Sequence, residues 1–314
     1  MARTLLQTED LTRRFGGIVA VNAVTLAVAP DEVHAVIGPN GAGKTTLVGL
    51  LSGEIAPQEG SIHFDGADIT LLPVFRRSLL GLARSFQITS LFREFTALDN
   101  VALAVQAHRG HSFRFWRDTR RDDELRKPAL ATLARVGLSE HAGVRVDKLS
   151  HGEHRQLDIA IALATEPRLL LLDEPMAGLG PEESGRMVEI LRELKGSVAI
   201  LLIEHDMEAV FALADRLTVM VDGRVIASDL PEVIRADATV RQAYLGQLEG
   251  RLAGMPETFA QSKTEQKAAQ RLKKKEATNV DCSPHLPAAV SVLTQWGLRL
   301  ADSPGHRPLY ARRS

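Results

Sequence analysis

The chain has 314 residues, 45% hydrophobic and 25% charged, and its single cysteine, Cys282, excludes an intramolecular disulfide and a cysteine-rich zinc site. Its net charge of −1 is uneven: Arg251–Ser314 hold 11 basic and 5 acidic residues, +6, leaving −7 on the first 250, which disfavours an overall basic nucleic-acid binder. Met1–Asp10, with one arginine and no long apolar stretch, does not read as a secretory signal, and the longest aliphatic runs, Leu169–Leu172 and Val198–Glu204, fall far short of the roughly 18 residues of a membrane-spanning helix.

In chain order, Leu5–Thr8, Val19–Leu26 and Ser61–Phe64 read as antiparallel strands, with turns at Gly16-Gly17 and Asp65-Gly66. Val33–Ile37, Leu169–Leu172 and Ala199–Ile203 are short, continuous apolar runs. Such runs fit parallel strands buried on both faces. Helices are expected over Thr45–Ser52 and Glu182–Leu194, and the middle, roughly Leu91–Val146, reads as mostly helical. Within it, Val105–Lys127 is rich in Arg and His and carries Phe113, Phe115 and Trp116. Asp118, Asp122, Asp123 and Glu124 interrupt its basic part, favouring a solvated helix of mixed charge over a nucleic-acid surface.

Strands alternating with helices predict an α/β fold. It is expected to have a mostly parallel core sheet, an N-terminal antiparallel β subdomain and a helical subdomain at about 91–150. The body should end near Tyr244-Leu245-Gly246, giving a domain over residues 1–250. Residues 251–314 form a basic extension, expected to be partly disordered. Its Lys273–Lys275 could sit against anionic lipid headgroups, although three lysines are few for that.

Gly38-Pro39-Asn40-Gly41-Ala42-Gly43-Lys44-Thr45 matches G-x-x-x-x-G-K-[ST], and Thr46 follows it. The octapeptide lies between an expected strand and an expected helix, the context a phosphate loop requires. Its glycines let successive N–H groups face one anion, and the helix N-terminus adds partial positive charge. Lys44 is placed to reach the β- and γ-phosphates of a nucleoside triphosphate, and the Thr45 hydroxyl to ligate Mg²⁺. Asp173 and Glu174 end the leucine strand. The first is suited to orient Mg²⁺ through water, the second to polarise the attacking water. Together these residues define a P-loop NTPase core.

The chain resembles the ATP-binding cassette (ABC) ATPases at six motifs in the family's order. Leu149-Ser150-His151-Gly152-Glu153 looks like their signature, about two dozen residues before Asp173-Glu174. Gln87, in Ala83-Arg84-Ser85-Phe86-Gln87, looks like the Q-loop glutamine, which touches Mg²⁺ and the attacking water. His205, in Ile203-Glu204-His205-Asp206, looks like the switch histidine, a donor to the γ-phosphate. Phe15 stands where the family places an adenine-stacking aromatic, and Ala177-Gly178-Leu179-Gly180 occupies the D-loop position. One phosphate loop and one signature per chain imply a head-to-tail pair. Ser150, His151, Gly152 and Glu153 would then face ATP held by the other subunit. His151, Glu153 and His154 stand where the commonest signature has Gly, Gln and Gln; Ser150 and Gly152 remain, so anion binding is expected to survive. Gly180 replaces the aspartate of many D-loops, which leaves aspartate-mediated cross-talk between the two sites open.

Val19-Ala20-Val21-Asn22, Gly81–Gln87, Leu91–Thr96, Asp99-Asn100-Val101, Asp206–Val210 and Arg241–Gly246 resemble the LivG type of this family. That resemblance implies a subunit of a bacterial branched-chain amino acid importer, peripheral on the cytoplasmic face of the inner membrane. It further implies two membrane-spanning permease subunits, a second ATPase subunit (identical or related), a solute-binding protein acting indirectly, and no nucleic-acid partner. ATPases of importers for urea, amides or other amino acids are the nearest alternatives. A soluble ABC ATPase for repair or translation fits less well. No sustained heptads separate Lys44 from Ser150, no second cassette is present, and zinc cysteines are missing.

Overall fold

The computed structural model describes residues 4–85, 91–109, 122–240 and 242. Gln87, residues 110–121 of the basic aromatic stretch, most of Arg241–Gly246 and the whole 251–314 extension lie outside the described residues.

β1 (Leu6–Phe15) and β2 (Ile18–Val28) form the expected hairpin through Gly16-Gly17, though both run longer than the apolar pattern indicated. β3 (Val33–Ile37) leads through the phosphate loop into α1 (Lys44–Ser52), followed by β4 (Glu59–Phe64), β5 (Ala67–Asp68), α2 (Val74–Leu79) and β6 (Leu82–Arg84). The helical region contributes α3 (Ala97–His108) and α4 (Asp123–Arg135), which Arg126 and Asp99 tie together at 3.3 Å. Then come α5 (His151–Leu163), β7 (Leu169–Asp173), α6 (Pro181–Leu194), β8 (Ala199–Ile203), α7 (Met207–Leu213), β9 (Arg216–Val221), β10 (Arg224–Asp229) and α8 (Pro231–Ala236).

Two sheets result. One is antiparallel, in the order β2-β1-β4-β5. The other runs β10-β9-β3-β8-β7-β6, parallel except for the edge strand β10. Alternation along the central strands explains their unbroken apolar runs. Leu170, Leu172, Ile200 and Leu202 pack with α3, α4, α5 and α6 on one face. Leu169, Leu171, Leu201 and Ile203 pack with α1 and the antiparallel sheet on the other. A polar residue at any of these positions would face a core on whichever side it pointed. Each such buried aliphatic side chain contributes roughly 1.5–3 kcal/mol. The parallel strands all end at one edge, where the phosphate loop, Asp173-Glu174 and Glu204-His205 come together. No described helix is long and apolar enough to cross a membrane.

The phosphate-loop helix is anchored at its far end by Arg77. This guanidinium is 1% exposed, and four backbone carbonyls surround it. Nη1 donates to Leu50 and Leu51 O at 2.7 Å each, Nε to Leu72 O and Nη2 to Thr70 O at 2.9 Å each. Leu50 O also accepts from Gly53 N at 3.3 Å, so the guanidinium adds a second donor there, and a cation at a helix C-terminus is favourable. Burial lowers the Arg77 pKa to about 10, still far above neutrality.

Candidate functional site: a phosphate cleft and a capped signature

All five residues of β3 are buried, so the loop that follows starts from a fixed edge. The loop is made for close approach. A Cβ on Gly38 would lie 2.2 Å from Met220 O, and one on Gly43 2.0 Å from Ala20 O. Gly43, at φ 95°, also adopts the left-handed conformation that opens α1. The helix begins at Lys44, one residue earlier than its sequence indicated. Lys44 is 6% exposed, and its ammonium curls back to donate to Gly38 O at 2.6 Å and Pro39 O at 3.1 Å. Burial lowers its pKa, while Glu174 and Asp173 oppose that shift. The loop, Thr45, Thr46, Glu174 and Asp222 line a cleft of about 390 Å³, within the range of small-molecule sites. Phe15 is not among the lining residues. Its hairpin partner Ile18 is, and the Phe15 ring, 44% exposed, carries the Arg13 guanidinium 4.9 Å from its centroid.

Glu174 adopts φ 51°, the left-handed region, which is costly for a residue with a side chain. Its N–H donates to Ile203 O at 2.9 Å, which holds the turn on the neighbouring strand. Asp173 is buried one residue earlier. Its Oδ2 accepts from Arg84 Nη2 at 3.2 Å, while its buried Oδ1 has no partner among the described residues. Burial raises its pKa, Arg84 opposes that, and neighbouring Glu174 adds to it.

His205 follows β8, beside Asp173, whose register partner is Ile203. Its side chain is 61% exposed and does not line the cleft. Sequence reasoning passed over Glu204, which is fully buried. Its carboxylate accepts from Met176 N at 2.9 Å, His205 N at 2.9 Å and Asp206 N at 3.3 Å. One side chain thus joins the turn after Glu174 to the turn bearing His205. A carboxylate directly after five apolar residues was the available signal.

Ser150 caps α5, which starts at His151. The serine hydroxyl accepts from Glu153 N at 3.2 Å, and Glu153 Oε2 accepts from Ser150 N at 2.6 Å. Gly152 N donates to Glu183 Oε1 at 3.2 Å. The donors expected to receive an anion are therefore held by the protein's own groups. Glu183, also missed from sequence, accepts from Gly180 N at 3.2 Å through Oε2. Ser150, Gly152, Glu153 and Glu183 line a small pocket that shares no residue with the cleft at Lys44.

The geometry agrees with the comparisons. Residues 21–177 match the family model described as ABC transporter. An ATP-binding protein of high-affinity branched-chain amino acid transport from Pseudomonas aeruginosa, BraF, is 39% identical over 257 residues, covering 79% of this chain and all of the relative. The chain belongs to the ABC transporter family. The LivG protein of Escherichia coli, described in the same terms, is also 39% identical, over 259 residues, with 79% and 100% coverage. Residues 224–248 of this ABC protein match a model described as branched-chain amino acid ATP-binding cassette transporter. The crystal structure of the ADP conformation of MJ1267, an ATP-binding cassette of an ABC transporter, superposes with a TM-score of 0.69 at 28% identity, covering 77% of this chain and 99% of that one. The cassette fold, the phosphate loop and the family together make this ABC protein an ATPase.

Proposed function

We propose that the chain is the ATP-hydrolysing subunit of a branched-chain amino acid importer. The match of residues 224–248 carries this reading, because it lies outside residues 21–177, the span of the general ABC transporter model, and belongs to a model for that transport class. The chain would work as a head-to-tail pair, with a copy of itself or a related ATPase, on two membrane-spanning permease subunits at the cytoplasmic face. A solute-binding protein would deliver the amino acid, and no transported solute would touch this chain. Residues 1–250 would form the cassette, with the region 91–150 facing the permease, and 251–314 a separate extension.

The proposed chemistry follows from the residues. Lys44 and the N–H groups of Gly41, Gly43, Thr45 and Thr46 hold the phosphates, Phe15 offers a face to adenine, and Pro39, Asn40 and Ala42 shape the loop. Binding must draw the Lys44 ammonium off the Gly38 and Pro39 carbonyls. Glu174 orients and deprotonates the attacking water, and His205 donates to the γ-phosphate. Magnesium fits the residues present: Thr45 offers a hydroxyl, and Asp173 keeps one buried oxygen without a partner among the described residues. Gln87 would complete that set, and the metal, when bound, would neutralise charge on the transferring phosphoryl group. Ser150, His151, Gly152 and Glu153 would close over the ATP of the partner subunit.

Glu174→Gln tests the assignment of the base. It should bind ATP and dimerise, while turnover falls about 10²–10⁴-fold. Wild-type-like turnover would remove Glu174 from that role. Uptake assays after deletion, scanning branched-chain amino acids, other amino acids, amides and urea, test the solute.

A further inference from the structure

Resting on that reading, the structure carries one step further, at Arg84. This residue ends β6, in register with Leu171 on β7, two residues before Asp173. Its guanidinium forks between two carboxylates. Nη1 meets Glu54 Oε2 at 2.6 Å, and Nη2 meets Asp173 Oδ2 at 3.2 Å. The Arg84 side chain is 10% exposed and the Asp173 side chain 0%.

The two oxygens of Asp173 are thus unequal. Oδ2 is occupied, while Oδ1 is buried and has no partner among the described residues. A buried acceptor without a donor costs on the order of 1–3 kcal/mol. Such a cost is sustained where another group completes the site. Lys44 does not complete it, since its ammonium is engaged by Gly38 O and Pro39 O. A carboxylate free at both oxygens could rotate and satisfy either one. One held through Oδ2 by a braced, planar cation keeps the other in place.

We propose that Arg84 is the positioning residue of the metal site: braced by Glu54, it holds Oδ2 of Asp173 so that Oδ1 alone is offered to the hydration shell of magnesium. Outer partners of ligating carboxylates set metal affinity, and losing one typically costs 10–100-fold. Lysine cannot replace arginine here, because a single ammonium cannot fork to both carboxylates in one plane.

The test uses the full chain and ADP, with dissociation constants measured in Mg²⁺ and in EDTA. Their ratio isolates the metal-dependent gain. Arg84→Met should reduce that gain about 10–100-fold, leaving the EDTA value within about twofold. Glu54→Gln, which loosens the brace, should give a smaller loss. An undiminished gain in Arg84→Met overturns the proposal. So does an equal loss in Mg²⁺ and EDTA, which marks a purely structural role. If the Met variant does not fold, Arg84→Lys reads the same ratio, and an undiminished gain there also overturns it. A wild-type chain showing no metal-dependent gain would overturn both this proposal and the magnesium assignment, whereas a gain untouched by the variants removes Arg84 alone.

Discussion

Glu183 accepts a hydrogen bond from the backbone N–H of Gly152, 31 positions earlier in the chain. A carboxylate thus sits on a donor at the N-terminus of α5, where the head-to-tail pair would place the partner's γ-phosphate. Two anions cannot share that donor, so closure of such a pair would have to displace Glu183. Glu183→Gln keeps an acceptor oxygen but removes the competing charge. In a Glu174→Gln background, it should tighten the ATP-driven dimer about threefold to tenfold, read by sedimentation velocity. An unchanged or weaker dimer would mean that Glu183 only caps α6.

Gly43→Ala should lower ADP affinity at least tenfold, on the order of 1.4 kcal/mol, measured by calorimetry. The new Cβ would lie 2.0 Å from the Ala20 carbonyl oxygen, and it must tolerate φ 95°. Gly66→Ala separates the two effects. Its φ is 82°, but no atom lies within 4 Å of the added carbon. It should cost about 1 kcal/mol of stability and leave nucleotide affinity unchanged.

Arg77→Met should destabilise the cassette by about 3 kcal/mol or more, because four carbonyls each lose a donor together. For a domain of this size, that corresponds to a fall in Tm of about 6–12 °C, which differential scanning calorimetry would resolve. A shift under about 2 °C would show that water replaces the guanidinium at little cost.

Asp158, on α5, gives a pH prediction. Burial raises its pKa well above the usual carboxyl range, and nearby Arg155 offsets only part of that. The folded chain therefore keeps a proton that the unfolded chain releases above about pH 3.9. Stability should fall as pH rises from there through the folded-state pKa, by about 1.4 kcal/mol per unit. Asp158→Asn has no such proton to lose. Its Tm should exceed that of the wild type at pH 8, with the difference shrinking toward pH 4. A difference independent of pH would assign the slope to other groups.

Much of the core was legible from local pattern. Val33–Ile37 and Ala199–Ile203 are strands with the bounds read from sequence, because burial on both faces forbids polar interruptions. The phosphate loop was legible because its spacing and its strand–helix context coincide. The β9–β10 hairpin was missed, although Asp222-Gly223 between two β-branched, apolar-rich runs is a hairpin signal. Arg77, Arg84, Glu183 and Glu204 carried weaker signals or none. All four act on partners 26 to 89 positions away, and sequence spacing does not encode such meetings. The engagement of Gly152 N by Glu183 was invisible for the same reason, whereas the Ser150–Glu153 capping box is a local S-x-x-E spacing that the sequence displays.

The Asp222-Gly223 turn also bears on the architecture. Gly223 donates to Ala42 O at 3.1 Å, within the phosphate loop, and accepts from Asn22 N at 2.8 Å, on the antiparallel sheet. Asp222 lines the cleft. A two-residue connection that would pass for surface decoration is thus a keystone between both sheets and the phosphate cleft. Insertions that ordinary hairpin turns absorb should not be tolerated here, and grafts or chain breaks are better placed at Asp65-Gly66, where an added carbon meets open space.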